Sequence, residues 1–371
     1  MLKKNKQVIL LILLFMTLSF LFFYAGLFLF YGQDKPAKTS ENTGKTVIYS
    51  HISVEIKGNK QEINILELNV KDKKLELKPI LSYDSVFGFE KLSSMVERSK
   101  AYAGVNAGFF YEYGQPGGMV VIDGKMITNS TGRFPVFLYD GNKAEFKELH
   151  TKLWLTVDSK RFDVDGINMA GGPGKAVLYT REYGSDNRAE TGNISAVIKS
   201  GRVVKVDVYP GKADIPESGM LLSLFGPEAF NLEDTGIKAG AEIQLHCDYG
   251  MDGRTQAYEC GSWLIRDGRV VMGGWDEWVG VTTNQDPRTA IGVKDNGNVV
   301  LVTVDGRQPG YSTGMTGREL GEYLLGLGVV DAAMLDGGAS TEMIVDGKIV
   351  NRPSFKGQER KLGGAIIVRF R

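Results

Sequence analysis

Glycine-containing turn dipeptides recur between alternating apolar runs, and they constrain the fold of this chain more than any other feature. In each, a glycine follows Asp, Asn or Ser, and the flanking residues alternate between apolar and polar. This pattern is typical of a two-residue hairpin with positive φ in the turn. Five such turns occur, at Asp123-Gly124, Ser200-Gly201, Asp267-Gly268, Asn296-Gly297 and Asp346-Gly347. Most of the chain is therefore expected to form antiparallel strands.

Two segments have helical rather than alternating periodicity. Residues 89–101 have one apolar face, as a helix packed on a sheet would. Residues 316–328 begin with Thr316 and Glu319 at the spacing of a capping box and end at Gly328, which suits a helix C-terminus. Together with the hairpins, these segments predict an α+β fold with hairpin-rich mixed sheets and a few helices.

An uncharged, strongly apolar stretch at residues 8–31 predicts a transmembrane helix before this domain, because it is long enough to cross a hydrocarbon core of roughly 30 Å. Three lysines precede it, so the positive-inside rule keeps the N-terminus in the cytoplasm and places the rest outside the cell. We therefore expect a single-pass anchor over residues 1–32. A cleaved signal peptide is the alternative and gives the same compartment, but the residues before Gly26 lack an A-x-A-like cleavage site.

Residues 33–45 are polar, with Pro and Gly, and predict a flexible tether to one large domain over 46–371. The chain has 44 Lys and Arg against 44 Asp and Glu, which argues against a nucleic-acid partner held by bulk charge. The three histidines have no zinc-ligand spacing. Cys247 and Cys260 flank a polar loop and could form a disulfide or remain free thiols.

Two Asp-Gly pairs do not fit the hairpin pattern. Asp305 follows the apolar run 299–304, but the next segment contains Pro309 and several glycines and cannot form a returning strand. Asp336 follows the apolar run 332–335 and precedes two further glycines. Both carboxylates are thus expected at strand ends that face glycine-rich loops. Catalytic and ligand-binding residues often lie at such strand ends. The alternative for each is a local Asp-Gly turn.

Other polar residues at strand ends suggest a pocket for an anionic, hydroxyl-rich ligand. Asn106 follows one predicted strand, and Arg288 and Thr289 begin another. Arg288 and Arg307 could hold phosphate oxygens in bidentate fashion, and the amides of 310–314 could form an anion nest. A serine hydrolase is a poorer interpretation because the sequence has no G-x-S-x-G elbow.

The ordered motifs "VNAGFF", "PRTAIGV", "LVTVDGRQPGYSTGMT", "DAAMLDGGAST" and "NRPS", followed by Arg360, resemble those of the phosphodiester glycosidase family. The resemblance covers roughly residues 47–371. Three residues depart from the family pattern: Ala107 and Ala339 stand where glycine is usual, and Glu342 stands where Thr or Ser is more common. These departures leave the acids and arginines in place but could reshape the sugar subsite.

The resemblance implies hydrolysis of the bond between an anomeric carbon and phosphate in a glycosyl-1-phosphate diester. An N-acetylhexosamine-type sugar in an envelope polymer or exopolysaccharide is the expected substrate. The implied catalytic residues are Asp336, Asp305, Arg307 and Arg288, with the two aspartates unranked as nucleophile or base. The implied substrate-binding residues are Asn106, Thr289, Gly310, Ser312, Gly314, Gly337, Gly338 and Ser340. The alternative is a non-catalytic glycan-binding or exopolysaccharide-assembly protein.

No cofactor is expected, although a divalent cation such as calcium is left open. A phosphate monoester has a second pKa near 6, so it can leave with little help from a proton. The sequence around Asp305 and Asp336 has arginines and glycines but lacks the apolar residues that would keep a carboxylic acid protonated near neutral pH. We therefore expect the reaction to proceed without a general acid. If a general acid does take part, Glu342 is the first candidate.

Overall fold

Antiparallel sheets dominate the described part of the chain, which in this computed structural model is residues 46–371 apart from 227, 229, 231 and 250–252. The strands are numbered β1 to β29 in chain order. All described residues belong to one compact unit, assigned to 39–371. Its core contains fully buried side chains such as Leu66, Leu301 and Ile367.

The largest sheet has seven strands, and it carries both aspartates that the sequence places at strand ends. Its strands in spatial order are β1 (Val47–Ile56), β2 (Asn59–Leu68), β24 (Val299–Val304), β23 (Arg288–Lys294), β25 (Val329–Met334), β19 (Trp263–Arg266) and β20 (Arg269–Val270). β23 is antiparallel to both β24 and β25. The C-terminal ends of β24 and β25 therefore lie at the same edge, on either side of the residue where β23 begins.

A five-stranded sheet supplies the remaining segments near that edge. Its strands in spatial order are β27 (Lys348–Ile349), β26 (Met343–Val345), β5 (Ala103–Asn106), β29 (Gly364–Phe370) and β3 (Leu75–Leu81). β5 ends at Asn106, and β26 begins directly after Glu342. The register pairs Met343 with Val105, so the end of β5 meets the start of β26.

The other sheets have five strands or fewer. One contains β7 (Lys125–Thr128), β6 (Val120–Ile122), β18 (Gln256–Glu259), β8 (Pro135–Tyr139) and β9 (Ala144–Glu148). Another contains β12 (Gly166–Ile167), β13 (Ala176–Tyr179), β16 (Met220–Phe225), β14 (Asn193–Lys199) and β15 (Arg202–Tyr209). A third contains β11 (Lys160–Val164), β10 (Leu153–Val157) and β17 (Ile243–Cys247). The two-stranded pairs are β21 (Trp275–Asp276) with β22 (Gly280–Val281), and β28 (Lys361–Leu362) with β4 (Glu90–Lys91).

Helices are few and short in the described residues. The α-helices are α1 (Leu92–Arg98), α2 (Leu232–Thr235) and α3 (Gly317–Gly326), and the 3₁₀ turns are Ser82–Asp84, Arg181–Tyr183 and Gly338–Ser340. The predicted capping box of α3 is present, because Thr316 Oγ1 accepts from Glu319 N and Glu319 Oε2 accepts from Thr316 N. Leu320 and Leu324 of α3 pack into the same buried cluster as Leu264.

The predicted α+β class is wrong, because the described residues are mostly β, with 46% strand and 10% helix. The physical reason is that the two helical segments are shorter than their periodicity suggested. Residues 90–91 pair as a strand rather than opening α1, so that helix keeps only 7 residues. No described helix is long and apolar enough to cross a membrane. The predicted anchor over 8–31 lies outside the described residues.

Four of the five predicted hairpin turns have positive φ at both central residues, as a type I′ turn requires. They are Asp123-Gly124, Ser200-Gly201, Asp267-Gly268 and Asp346-Gly347. At Asn296-Gly297 a hairpin also forms, between β23 and β24, but its loop is longer than the predicted two residues. Only the glycine there has positive φ, and the side chain of Asn296 accepts a hydrogen bond from Asn298 N. Cys247 and Cys260 are free thiols. Cys247 ends β17, whereas Cys260 follows β18 in another sheet, so of the two alternatives the disulfide does not form.

Candidate active site

Asn106 joins three of the predicted site segments. Its side-chain oxygen accepts from Thr289 Oγ1 at 2.8 Å and from Glu342 N at 3.2 Å. Its side-chain nitrogen donates to the backbone oxygen of Asp336 at 2.6 Å. Because Asn106 is buried, these bonds are shielded from competing water and fix the strand ends relative to one another. The structure thus places Asn106 and Thr289 behind the Asp336 backbone, as positioning residues.

Asp336 lies partly exposed at the mouth of β25. Burial of its carboxylate raises its pKa to about 6, and the Ser340 hydroxyl and the positive charge of Arg360 oppose that shift. Ser340 Oγ has no hydrogen-bond partner in the described part of the chain, and no hydrogen bond from another segment to the Asp336 carboxylate is found there. The Asp336 carboxylate is therefore not committed to holding another segment, and it is available to a ligand.

Asp305 has a different environment, because both of its carboxylate oxygens are occupied. Oδ1 accepts from Asn351 Nδ2 at 3.0 Å, and Oδ2 accepts from Arg352 N at 2.9 Å and from Tyr311 OH at 3.1 Å. Burial raises the pKa of Asp305, and these hydrogen bonds oppose the shift. Asp305 thus anchors the segment that contains Asn351 and Arg352. The geometry ranks Asp336 ahead of Asp305 as the reacting carboxylate.

The two arginines predicted to hold phosphate also differ. Arg288 is buried, and it donates through Nε to Met315 O at 2.9 Å and through Nη2 to Asn284 O at 2.9 Å. Burial lowers the pKa of Arg288, while the charge of Asp286 opposes that change. Because its donors are directed at backbone carbonyls, Arg288 fixes the loop that precedes β23 rather than presenting a free fork to a ligand.

Arg307 is the more accessible of the two, with 52% of its side chain exposed. Its Nε donates to Asp286 Oδ1 at 2.8 Å. The guanidinium lies over the loop that follows Asp336, since a Cβ added to Gly338 would be 3.2 Å from Arg307 Nη1. Gly338 also has a φ of +59°, so both space and backbone conformation favour glycine there. Arg307 is therefore placed to meet an anion beside the Asp336 loop.

The predicted anion nest in residues 310–314 is wrong. Tyr311 N and Ser312 N donate to Gln308 O, Thr313 N donates to Lys60 O, and Gly314 N donates to Gln61 Oε1. Ser312 Oγ donates to Asp305 O at 2.6 Å. These amides and the hydroxyl are used within the fold, which removes Ser312 and Gly314 from the substrate-binding set. Sequence reasoning could not foresee all of this, because two of the acceptors, Lys60 and Gln61, lie in β2, which is distant in the sequence.

Arg360 and Glu342 form a part of the site that the predicted catalytic and substrate-binding sets did not include. Arg360 N donates to Glu342 Oε1 at 2.7 Å, and the Arg360 guanidinium lies 5.6 Å from the Phe110 ring centre. Its positive charge acts on both Asp336 and Glu342 by lowering their pKa values. The position of Arg360 shortly after "NRPS" was the available signal.

The expectation that no carboxylic acid in the site stays protonated near neutral pH is wrong, because Glu342 does. It is fully buried, and its Oε2 has no hydrogen-bond partner among the described residues. Burial raises the pKa of Glu342 to about 8, and its bond from the Arg360 backbone opposes the shift. Residues that act on it, among them Arg360 and Lys91, are distant in the sequence, so the residues next to Glu342 did not indicate this environment. Within the described residues, no group of three or more His, Cys, Asp or Glu is arranged to hold a metal ion.

A sheet edge that presents an available carboxylate with a raised pKa beside accessible arginines has the attributes of a hydrolase for an anionic substrate. Residues 192–369 match the model of the phosphodiester glycosidase family. This match confirms the family resemblance over that range, and it supports a glycosidase-type enzyme. The match includes Asp305, Asp336 and Glu342 but not Asn106.

Individual proteins are similar over shorter or more divergent stretches. The chain is 31% identical over 118 residues to the SPbeta prophage-derived uncharacterized protein YomE of Bacillus subtilis, covering 32% of this chain and 18% of that protein. It is 32% identical over 106 residues to the N-acetylglucosamine-1-phosphodiester alpha-N-acetylglucosaminidase of Bos taurus, covering 25% of this chain and 19% of that enzyme. The chain thus spans less than a fifth of either relative.

A crystal structure of a Synechocystis protein shares the fold, with a TM-score of 0.74 and 21% sequence identity. That likeness covers 91% of this chain and 64% of the Synechocystis chain.

Proposed function

We propose that this protein hydrolyses the bond between an anomeric carbon and phosphate in a glycosyl-1-phosphate diester. The observation that carries the proposal is the available carboxylate of Asp336 beside the charge of Arg360, within a phosphodiester glycosidase domain. An N-acetylhexosamine-type sugar is the proposed glycone, in keeping with the name of the Bos taurus relative.

Asp336 acts in this proposal as the carboxylate at the anomeric centre. It either attacks the carbon directly or takes a proton from the attacking water, and in both cases it must be ionised. The carbon–oxygen bond breaks, and its electron pair stays on the phosphate oxygen. With a pKa of about 6, Asp336 is mostly ionised at neutral pH and basic enough to accept a proton.

The positive charges supply the stabilisation of the leaving group. Arg307 is half exposed beside the Asp336 loop, and Arg360 is close enough to lower the pKa of Asp336. A phosphate monoester that gains negative charge as it leaves is stabilised by such cations. Glu342 holds the Arg360 backbone and is mostly protonated at neutral pH, so it does not neutralise the guanidinium. Arg288 acts as a positioning residue because it holds the loop that contains Asn284 and leads to Asp286.

Release of free reducing sugar tests this function. The substrate is the methyl diester of N-acetylglucosamine 1-phosphate, and we expect the purified protein to liberate N-acetylglucosamine and methyl phosphate. Asp336→Asn should lower kcat/KM by about 10²–10⁴-fold, since Asn preserves size but not charge. Asp346→Asn is the matched control, because Asp346 is exposed in a hairpin turn whose positive φ Asn tolerates.

Binding of diesters without turnover, across several sugars, would instead support the glycan-binding alternative. Full activity in Asp336→Asn would remove this carboxylate from the mechanism.

We further propose that the domain acts outside the cytoplasmic membrane on a phosphate-linked glycan of the envelope. The support for this location is the sequence alone, namely the lysines that precede the apolar residues 8–31. Protease treatment of intact cells that produce the protein tests it. Degradation of the domain is expected, and protection until the cells are lysed would contradict an external location.

A further inference from the structure

The hairpin of β21 and β22 presents an exposed apolar surface that the proposed reaction does not use. Trp275 and Val281 are directly opposite each other in its register, so their side chains lie on the same face. Trp275 is 63% exposed and Val281 is 50% exposed. Large apolar side chains that are exposed next to each other, rather than singly, often mark a binding surface. The Trp275–Val281 pair is therefore a candidate for one.

A cleft of about 200 Å³ borders this pair and supplies polar groups. Gly274, next to Trp275 in the chain, and Thr283, two positions beyond Val281, both line it. Arg318 also lines the cleft and is exposed, and no acidic residue is among the described residues of the lining. A sugar ring has an apolar C–H face and hydroxyls around its edge. An indole beside hydroxyl and guanidinium groups suits that combination.

Buried groups fix the backbone of the hairpin. The carboxylate of Asp276, the residue after Trp275, is buried and accepts from Trp278 N at 2.7 Å and from Ser262 N at 3.1 Å. Trp278 in turn stacks on Phe109 with ring centres 5.4 Å apart. The segment that carries Trp275 is thus ordered before any ligand binds, which limits the entropy cost of binding.

The hairpin lies on the Arg307 side of the candidate active site. Asp286, which accepts from Arg307 Nε at 2.8 Å, is five positions after Val281. Because Val281 is opposite Trp275, the Cα atoms of Trp275 and Asp286 are at most roughly 24 Å apart. A glycan chain of several sugars can span that distance. The Trp275–Val281 pair is therefore within reach of a polymer whose reacting bond lies at Asp336.

The size of the surface distinguishes a glycan from a protein partner. A stable protein interface takes about 20–30 residues from each partner. Here two apolar side chains are bordered by the exposed polar residues Glu277 and Thr283. Such an area matches one or two sugar rings rather than a folded protein.

We propose that the Trp275–Val281 pair and the adjoining cleft at Thr283 and Arg318 bind a glycan chain away from the reacting bond. The ligand is a chain of neutral pyranose sugars, and Trp275 is the ring on which one of them stacks. The proposal rests on the proposed function only for the choice of a glycan as the ligand. It assigns the protein a polymeric substrate, which the reaction site alone does not require.

Binding of soluble oligosaccharides tests this surface without relying on turnover. The probes are oligomers of N-acetylglucosamine and of glucose, and isothermal titration calorimetry gives their Kd for the purified full-length protein. Trp275→Ala should weaken binding about three- to tenfold, because it removes the aromatic face, and Trp275→Phe should retain most of the affinity. Val208→Ala is the matched control, since Val208 is 73% exposed on β15 of another sheet and should leave the Kd unchanged.

Asp336→Asn should bind the oligomers as tightly as the wild type, which separates this surface from the active site. Oligomer binding by a wild-type protein that cleaves no diester would support the surface and count against the proposed function. Equal affinity of wild type and Trp275→Ala, or no binding of either oligomer, would overturn the surface but not the proposed function. A dimer that dissociates in Trp275→Ala, measured by analytical ultracentrifugation, would also overturn it, because the surface would then contact a second copy.

Discussion

Replacing Glu342 by Gln should make the protein more stable in alkaline solution. Burial raises the pKa of Glu342 to about 8 in the folded state, against an ordinary value of 4.5. Because the folded pKa lies above the unfolded one, the stability that this group contributes is complete below pH 4.5 and is lost as pH rises through 8. The pKa difference corresponds to at most about 5 kcal/mol, at about 1.4 kcal/mol for each pKa unit.

Gln is the suitable replacement because it has the size of Glu and retains an oxygen that can accept from Arg360 N. Urea unfolding of both proteins, followed by tryptophan fluorescence at about pH 5 and about pH 9, gives the difference in unfolding free energy at each pH. Near pH 5 the two should be similarly stable, since Glu342 is then protonated. Near pH 9 the Gln variant should be more stable by several kcal/mol.

Glu319→Gln provides a contrast of opposite sign. Burial of Glu319 acts to raise its pKa, but hydrogen bonds from Thr316 and the charge of Lys57 hold that pKa below its ordinary value. Its contribution to stability is therefore present near neutral pH and is lost in acid, so the variant should be less stable at pH 7 and similar at pH 3. The reasoning would be refuted if the stability difference between wild type and Glu342→Gln did not change from pH 5 to pH 9. That result would mean that ionisation of Glu342 in the folded protein does not lower the free energy of unfolding.

Three further predictions concern the reaction. The acid limb of kcat/KM should have an apparent pKa near 6, since activity requires ionised Asp336, and a pH profile that stays flat down to pH 4 would contradict that role. Arg307→Lys should lower kcat/KM by an amount equivalent to about 1–3 kcal/mol, because Lys lacks the planar fork, and unchanged kinetics would show that Arg307 is structural. Gly337→Ala should lower the unfolding free energy by roughly 1–3 kcal/mol and lower kcat/KM by an equivalent amount, since its Cβ would lie 2.9 Å from Pro287 O. Wild-type values in both assays would show that the loop relaxes freely.

Local patterns predicted the local structure well. Four hairpin turns and the capping box of α3 depend on residues within a few positions of one another, and all are present. The balance of strand and helix was misjudged because the length of α1 is limited by the pairing of residues 90–91 with β28. Such pairing depends on residues 361–362, which no local pattern connects to α1.

The sequence also predicted one part of the candidate site and missed another. Asp305 and Asp336 stood out because each ends an apolar run without a returning strand. Their difference in availability could not be predicted, because it depends on Asn351 and Tyr311, which reach Asp305 only in the folded chain. For the same reason, the roles assigned to Arg288 and Ser312 required knowledge of the backbone atoms that they contact. Residue types can suggest a pocket, but their hydrogen-bond partners determine which groups a substrate meets.

The hydrogen bond between Asn106 and the Asp336 backbone also determines at which stage of folding the protein can become active. These residues are 230 positions apart, and β2 pairs with β24 across a comparable stretch of chain. Contacts of such long range form late, because the intervening loop must lose its freedom before they contribute. A ribosome-bound or partly folded chain that lacks β24 to β26 therefore has no active site, however well its earlier hairpins are formed. Recovery of activity after denaturation should accordingly trail the recovery of β-structure, so that turnover reports complete folding.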